Sequence, residues 1–380
     1  MKPVYIVSDN IVSPVGRSSQ ENFERLVAGV SGIQQHQSAI SPEPFYASLL
    51  GEEAIGLLSD ADPGKYTRFE QLLISSIQNA LSAAPVSCAD ERTILIVSST
   101  KGNIGLIEKE PVSTATLERV ALHHSARLVA QYFHCTTRPL VVSHACISGL
   151  VALITGMRLL QAGRFDHAIV TGADLITQFI LSGFQSFHAV SELPCKPFDA
   201  DRNGITLGEA GATVVLSVRK PEDNNGICLR GGAISNDANH ISGPSRTGAE
   251  LHQAIETAIA EAGVEKSAID FISAHGTATI YNDEMEAKAI TLSGLEQVPV
   301  NSLKGYYGHT LGAAGLIETV ASVHSLKANT LLPTPGFKTP GTSMPVNISQ
   351  IIQTGNYHTF LKTASGFGGC NAAVVVQKTG

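Results

Sequence analysis

The sequence has no tryptophan and only four methionines, and charged residues make up 16% of it, against about 25% in an ordinary soluble domain. Little charge, with 43% hydrophobic residues and 35 glycines, excludes a disordered chain and a charged coiled coil. It predicts much buried surface, part of it against another subunit. Cysteine is sparse: Cys88, Cys135, Cys146, Cys195, Cys228 and Cys370 are scattered, without a CxxC pair. That pattern argues against a disulfide scaffold or a zinc site and for reduced thiols in the cytoplasm. No Lys/Arg block interrupts a balance of 26 basic and 33 acidic residues, net charge −7, so no nucleic-acid partner is expected. The short apolar run in MKPVYIVSDNIVSPVG is broken by Asp9 and reads as neither a signal peptide nor a membrane span. At about 150 residues per domain, 380 residues suggest two or three domains.

What is present is a strand–helix alternation. TILIVSS (93–99), PLVVSHA (139–145), HAIVTGA (167–173) and GATVVLSV (211–218) read as buried strands. Helical spacing over 147–163 predicts a helix with Gly163 as its C-cap. After a polar stretch the rhythm restarts: ICLRGGAIS, a helix over 249–263, DFISAHG, a helix near DEMEAKAITLSG, PVNSLKG, and a hairpin across GFGG. The chain thus divides into two similar α/β halves, 1–224 and 225–380.

Each half places a reactive residue just past a strand, where open α/β sheets bind ligands. Cys146 in SHACISG sits between a strand and a helix start, where the helix dipole and free backbone N–H groups favour thiolate. His275 in SAHGTATIYNDEMEA is followed by small residues that leave room for a ligand. In SLKGYYGHTLGAAGLIE, a cation near His309 is expected to keep its imidazole neutral, with Glu318 pairing Lys304. Phe367, in the turn GFGGCN, offers a backbone N–H to an oxyanion and a ring able to gate the site. GFGG lacks the spacing of a phosphate loop. Each motif alone is weak; packing, capping or a solvated ion pair would explain it.

Together they resemble the β-ketoacyl-acyl carrier protein synthases of the thiolase superfamily, most closely the elongating Cys-His-His type of fatty-acid and polyketide synthesis. The resemblance runs through VSPVG, IGLIEKE, SHACISG, GRFDHAIVTGAD, KPFDADRNGITLGEAGATVVL, AHGTATIYNDEMEA, NSLKGYYGHTLGAAG and SGFGGCNAA. It implies an αβαβα five-layer sandwich of two related halves that works as a homodimer, or as a heterodimer with a ketosynthase-like chain-length partner. Cys146 would be the nucleophile, His275 and His309 the groups steadying an enolate, and Lys304 with Glu318 their support. The amides of Cys146 and Phe367 would form an oxyanion hole, Thr277, Thr279 and Gly368 would contact substrate, and Ile107 would limit acyl-pocket depth. No bound cofactor or metal is implied, because phosphopantetheine arrives on the acyl carrier protein.

The chain departs from that family in three places. Ala278 and Ile280 stand where a different small residue and proline are common, the region between Glu110 and His123 is short, and Cys370 replaces threonine. The trimming suggests a specialised synthase, for instance of polyenes. A thiolase acting on coenzyme A esters is the rival within the superfamily, and His309 argues against the acyl-CoA-starting branch, which carries asparagine there.

Overall fold

The computed structural model describes residues 2–51, 61–221 and 226–379; the expected boundary at residue 224 lies outside them. Ten strands form one sheet: β1 (Val4–Val12), β2 (Thr93–Ser98), β3 (Leu140–Val142), β4 (His167–Asp174), β5 (Ala210–Ser217), β6 (Gly226–Asn236), β7 (Phe271–Ser273), β8 (Val300–Asn301), β9 (Thr359–Gly366) and β10 (Cys370–Thr379). Their order is β8-β7-β9-β10-β6-β1-β5-β4-β2-β3. The first five strands and the last five repeat one topology. In each, the second strand is parallel to the third and fourth, and the fifth runs antiparallel between the fourth and the first. The two sets meet where Val4–Ile6 of β1 pairs antiparallel with Ile227–Leu229 of β6.

The layers are built mainly, among the described residues, by α1 (Arg68–Ser82), α2 (Ser148–Gln161), α3 (Ala249–Ala262), α4 (Ile280–Leu292) and α5 (Ala314–Ala328). Helices α2 and α5 touch strands of both halves and each other, whereas α1 covers the outer face of the first half and α3, with α4 beside it, that of the second. The sequence explains this placement. Helix α5 is buried on every side from Ala314 to Leu326, as a helix between two sheets must be. Helix α1 is buried all round over residues 69–77, is exposed only near its C-terminal end, and opens with a reciprocal cap between Thr67 and Glu70. Separate apolar clusters fill the central layer and the two outer layers. Gly163 follows α2 in the left-handed conformation, φ 68°, as the sequence predicts.

The two central helices approach end to end at glycines. A Cβ on Gly149 of α2 would stand 2.9 Å from the backbone nitrogen of Leu316, and one on Gly315 would stand 2.8 Å from that of Leu150. Gly149→Ala therefore has to push the halves apart, and we expect a loss of about 1–3 kcal/mol, read as a lower melting temperature together with reduced activity. An unchanged melt would mean that this contact does not set the spacing.

One strand differs from expectation. PLVVSHA is ordered as a strand only over Leu140–Val142, and Leu140 and Val141 are 39% and 36% exposed. The reason is topological: β3 ends the sheet and has β2 on one side only. Among the described residues no helix is long and apolar enough to cross a membrane.

Candidate active site

The third strand of each half leads into a central helix, and the site forms where those two connections meet. In the first half, Ala145 turns the chain at φ 46°, a left-handed conformation that costs a residue with a Cβ about 1 kcal/mol or more. Ser148 holds this elbow: its Oγ donates to the Ala145 carbonyl at 2.6 Å and accepts from His144 N–H at 2.8 Å. Cys146 is thereby presented just before α2, with its side chain buried. In the second half, β8 leads to Lys304 and His309 and then to α5. Asp174, at the end of β4, ties this connection to the first half. Its carboxylate accepts from Ser99 Oγ at 2.7 Å, Thr100 N–H at 3.1 Å and Gly312 N–H at 2.7 Å.

His275 follows β7 in a loop braced by two carboxylates of α4. Glu286 accepts from the N–H groups of His275 and Gly276 at 2.8 and 2.7 Å, and Asp283 from those of Thr277 and Ala278 at 2.8 and 3.1 Å. Lys304 Nζ reaches the His275 carbonyl at 2.5 Å, His275 Nδ1 at 3.3 Å and Glu318 Oε1 at 2.6 Å. All of these groups are buried. At the other imidazole, Leu311 N–H donates to His309 Nδ1 at 3.3 Å. Both Nδ1 atoms thus accept from fixed donors, which leaves the proton on Nε2 in each ring. The rings stand edge to face, centroids 5.1 Å apart.

A cavity of about 320 Å³ is lined by Cys146, His275, His309, Thr277, Thr279 and Phe367, together with Phe184 and Phe187. The Thr277 and Thr279 hydroxyls lie 2.9 Å apart, and Thr279 also caps α4. Phe367 is 38% exposed and its ring packs against Phe184 and Phe187, each 5.6 Å away. Its backbone N–H faces the Cys146 sulfur. Two expected substrate contacts are not part of this lining. Ile107 lies half-buried in the short helix Leu106–Lys109, and Gly368 donates its N–H to the Ile241 carbonyl at 2.6 Å. Cys370 is also outside it, with its thiol directed to the carbonyls of Phe367 and His144.

The electrostatics correct one expectation and extend another. Burial, reinforced by Cys370 and Asp174, pushes the Cys146 thiol up to about 12, against the opposing pull of Lys304 and the Phe367 N–H. The helix start therefore does not make a resting thiolate; desolvation outweighs it. Alkylation of Cys146 by iodoacetamide should accordingly rise about tenfold per pH unit from pH 7 to 10, and a plateau near pH 9 would contradict this. Both histidines are held well below their ordinary value, first by burial and then by Lys304, with Lys362 adding to it. His309 is neutral as expected, although burial, rather than the cation, is the larger cause.

Sequence reasoning passed over Lys362, Asp174, Glu286 and Asp283. Asp174 was open to the rule that singled out Cys146, being a polar residue at a strand end. Lys362 was visible as a charge inside the apolar strand TFLKTASG.

A buried thiol and two imidazoles lining one cavity, on a duplicated sandwich of the thiolase fold, are the site of an acyltransferase-class ketosynthase. The chain belongs to the β-ketoacyl synthase family: residues 1–221 match its model "Beta-ketoacyl synthase, N-terminal domain" and residues 227–338 "Beta-ketoacyl synthase, C-terminal domain". It is 27% identical over 417 residues to 3-oxoacyl-(acyl-carrier-protein) synthase 2 of Vibrio cholerae, covering 99% of both chains. Among solved structures it is similar to the ishigamide ketosynthase/chain length factor, with TM-score 0.90 and 22% identity over 100% of each chain. It is also similar to a Xenorhabdus doucetiae ketosynthase in complex with its chain length factor, with TM-score 0.86 and 25% identity, covering 100% of this chain and 98% of that one.

Proposed function

We propose that this β-ketoacyl synthase works by a two-stage exchange on carrier-protein substrates. Cys146 Sγ attacks the thioester carbonyl of an acyl-carrier protein; the acyl–sulfur bond to pantetheine breaks and the cysteine proton leaves on the pantetheine thiol. Malonyl-carrier protein then binds, its carboxylate departs as carbon dioxide, and the electron pair left behind forms an enolate held by the Nε2–H groups of His275 and His309. The enolate carbon attacks the carbonyl of the Cys146 thioester, the acyl–Sγ bond breaks, the Cys146 sulfur leaves as thiolate and takes up a proton, and the product is a β-ketoacyl chain two carbons longer on the carrier protein.

The observation that carries this reading is the pair of imidazoles with both Nδ1 atoms already taken, lining one cavity with the thiol. Two fixed N–H donors suit an oxygen gaining negative charge. The amides of Cys146 and Phe367 suit the tetrahedral oxyanion of acyl transfer, where one such donor is worth about 3–4 kcal/mol. Phe367 is the gate between the two stages, and Thr277 and Thr279 contact the pantetheine arm. No bound cofactor enters these steps.

The exposed apolar edge at Leu140 and Val141 supports a dimer through β3, either with a second copy or with a chain-length partner of the kind named in the solved neighbours. Six unpaired cysteines fit work in the cytoplasm, and the short cap between Glu110 and His123 fits a specialised product. The test is reconstitution with acyl- and malonyl-carrier proteins: the expected product is the β-ketoacyl chain, and the same turnover with acyl-CoA alone, without malonyl-carrier protein, would favour thiolase chemistry.

A further inference from the structure

The buried charge beside the histidines is larger than a single Lys–Glu pair. Lys362, on β9, is fully buried. Its Nζ stands 2.6 Å from Glu318 Oε2 and donates to the carbonyls of Ser273 and Ala274 at 3.1 Å each. Glu318 is therefore shared: Oε1 goes to Lys304 and Oε2 to Lys362, both at 2.6 Å. The next residue, Thr363, donates to Glu286 Oε1 at 2.6 Å, the oxygen that also accepts the His275 N–H. Two ammoniums and two carboxylates, Lys304, Lys362, Glu318 and Glu286, thus form one core on four different elements. Nothing in the two-stage exchange uses Lys362.

We propose that Lys362 is a positioning residue of the condensation: by occupying the second oxygen of Glu318 it fixes the carboxylate that aims Lys304 at His275, and its charge completes a balanced core around the two imidazoles. This rests on the reading of His275 and His309 as enolate-binding groups. A lone Glu318 with one lysine would leave its other oxygen buried without a cation, at a substantial desolvation cost. With Lys362 in place, Lys304 keeps three acceptors for three protons, and His275 Nδ1 is one of them. Among the described residues, the titratable groups around the imidazoles are these four, Asp283 behind the Thr277–Ala278 amides, Asp174 at the Gly312 amide, and Cys146, Asp237 and His240 around the cavity.

Removing Lys362 takes a positive charge away from both rings, so imidazolium forms more readily and the neutral, active pair is lost at a higher pH. The experiment measures malonyl-carrier decarboxylation from pH 5 to 9 for wild type, Lys362→Met and Lys362→Arg, alongside NMR titration of the two imidazoles in the same proteins. Lys362→Met should move the acid limb and both imidazole titrations up by about one pH unit, and Lys362→Arg should restore them. An acid limb and imidazoles unmoved in Lys362→Met would overturn the proposal. If Lys362→Met does not fold, Glu286→Gln reads the same balance with opposite sign: the limb should move down, and no movement or an upward one overturns it. Absence of decarboxylation in wild type at every pH would overturn the enolate-binding reading instead, while the imidazole titrations would still report on Lys362.

Discussion

Cys146→Ala should abolish condensation and leave the protein folded. The substitution removes the only thiol lining the cavity among the described residues. Losing a covalent nucleophile lowers turnover by about 10⁴- to 10⁶-fold. The structural cost is small, because one sulfur removed from a buried position leaves a void near methyl size, about 1 kcal/mol. The imidazole pair is untouched: Lys304 still holds His275 and Leu311 still holds His309. Release of carbon dioxide from malonyl-carrier protein should therefore persist in the variant, uncoupled from product formation. Condensation at wild-type rate would remove Cys146 from the mechanism.

Glu318→Ala should have the largest effect on stability. Glu318 is 3% exposed and lies between two lysines that are themselves 1% and 0% exposed. Removing the carboxylate leaves Lys304 and Lys362 buried and facing one another. Breaking a buried ion pair by deleting one partner costs about 3–5 kcal/mol, and the second ammonium adds to the strain. Thermal melting should show a marked loss of stability. Decarboxylation should fall further than acylation, because Lys304 then lacks the anchor that aims it at His275. Equal melts for variant and wild type would mean that the lysines find other partners or lose their protons.

The local geometry of the candidate site was legible in the sequence, because strand-to-helix elbows are local. SHACISG and NSLKGYYGHT each read as a strand end followed by a helix start, and both elbows are present, one per half, with the central helices meeting at Gly149 and Gly315. Lys304 and Glu318 lie one turn and a helix apart in a single motif, and their pairing could be anticipated. Lys362 could not be anticipated in the same way. Its partner Glu318 lies on another element and its backbone acceptors on a third, so only the fold brings them together. The ionisation of Cys146 was misjudged for a related reason: a helix start is visible in sequence, whereas the depth of burial that outweighs it is set by the hairpin carrying Phe367 and Cys370. The exposure of β3 was hidden because an apolar strand reads alike whether a strand lies on both sides of it or on one.

The duplicated topology also explains why the candidate catalytic groups are divided as they are. Each half contributes the connection after its third strand, and the second half adds the loop after β7 and the turn between β9 and β10. Asp174 and Glu286 hold these connections by their backbone amides, so the site is fixed by carboxylates that need not touch substrate.

The most direct test of this account is the intact mass of wild type and Cys146→Ala after incubation with a panel of acyl-carrier proteins. A single acyl adduct is expected on wild type and none on the variant, with a preferred chain that identifies the substrate class. An adduct of equal extent on Cys146→Ala would contradict it.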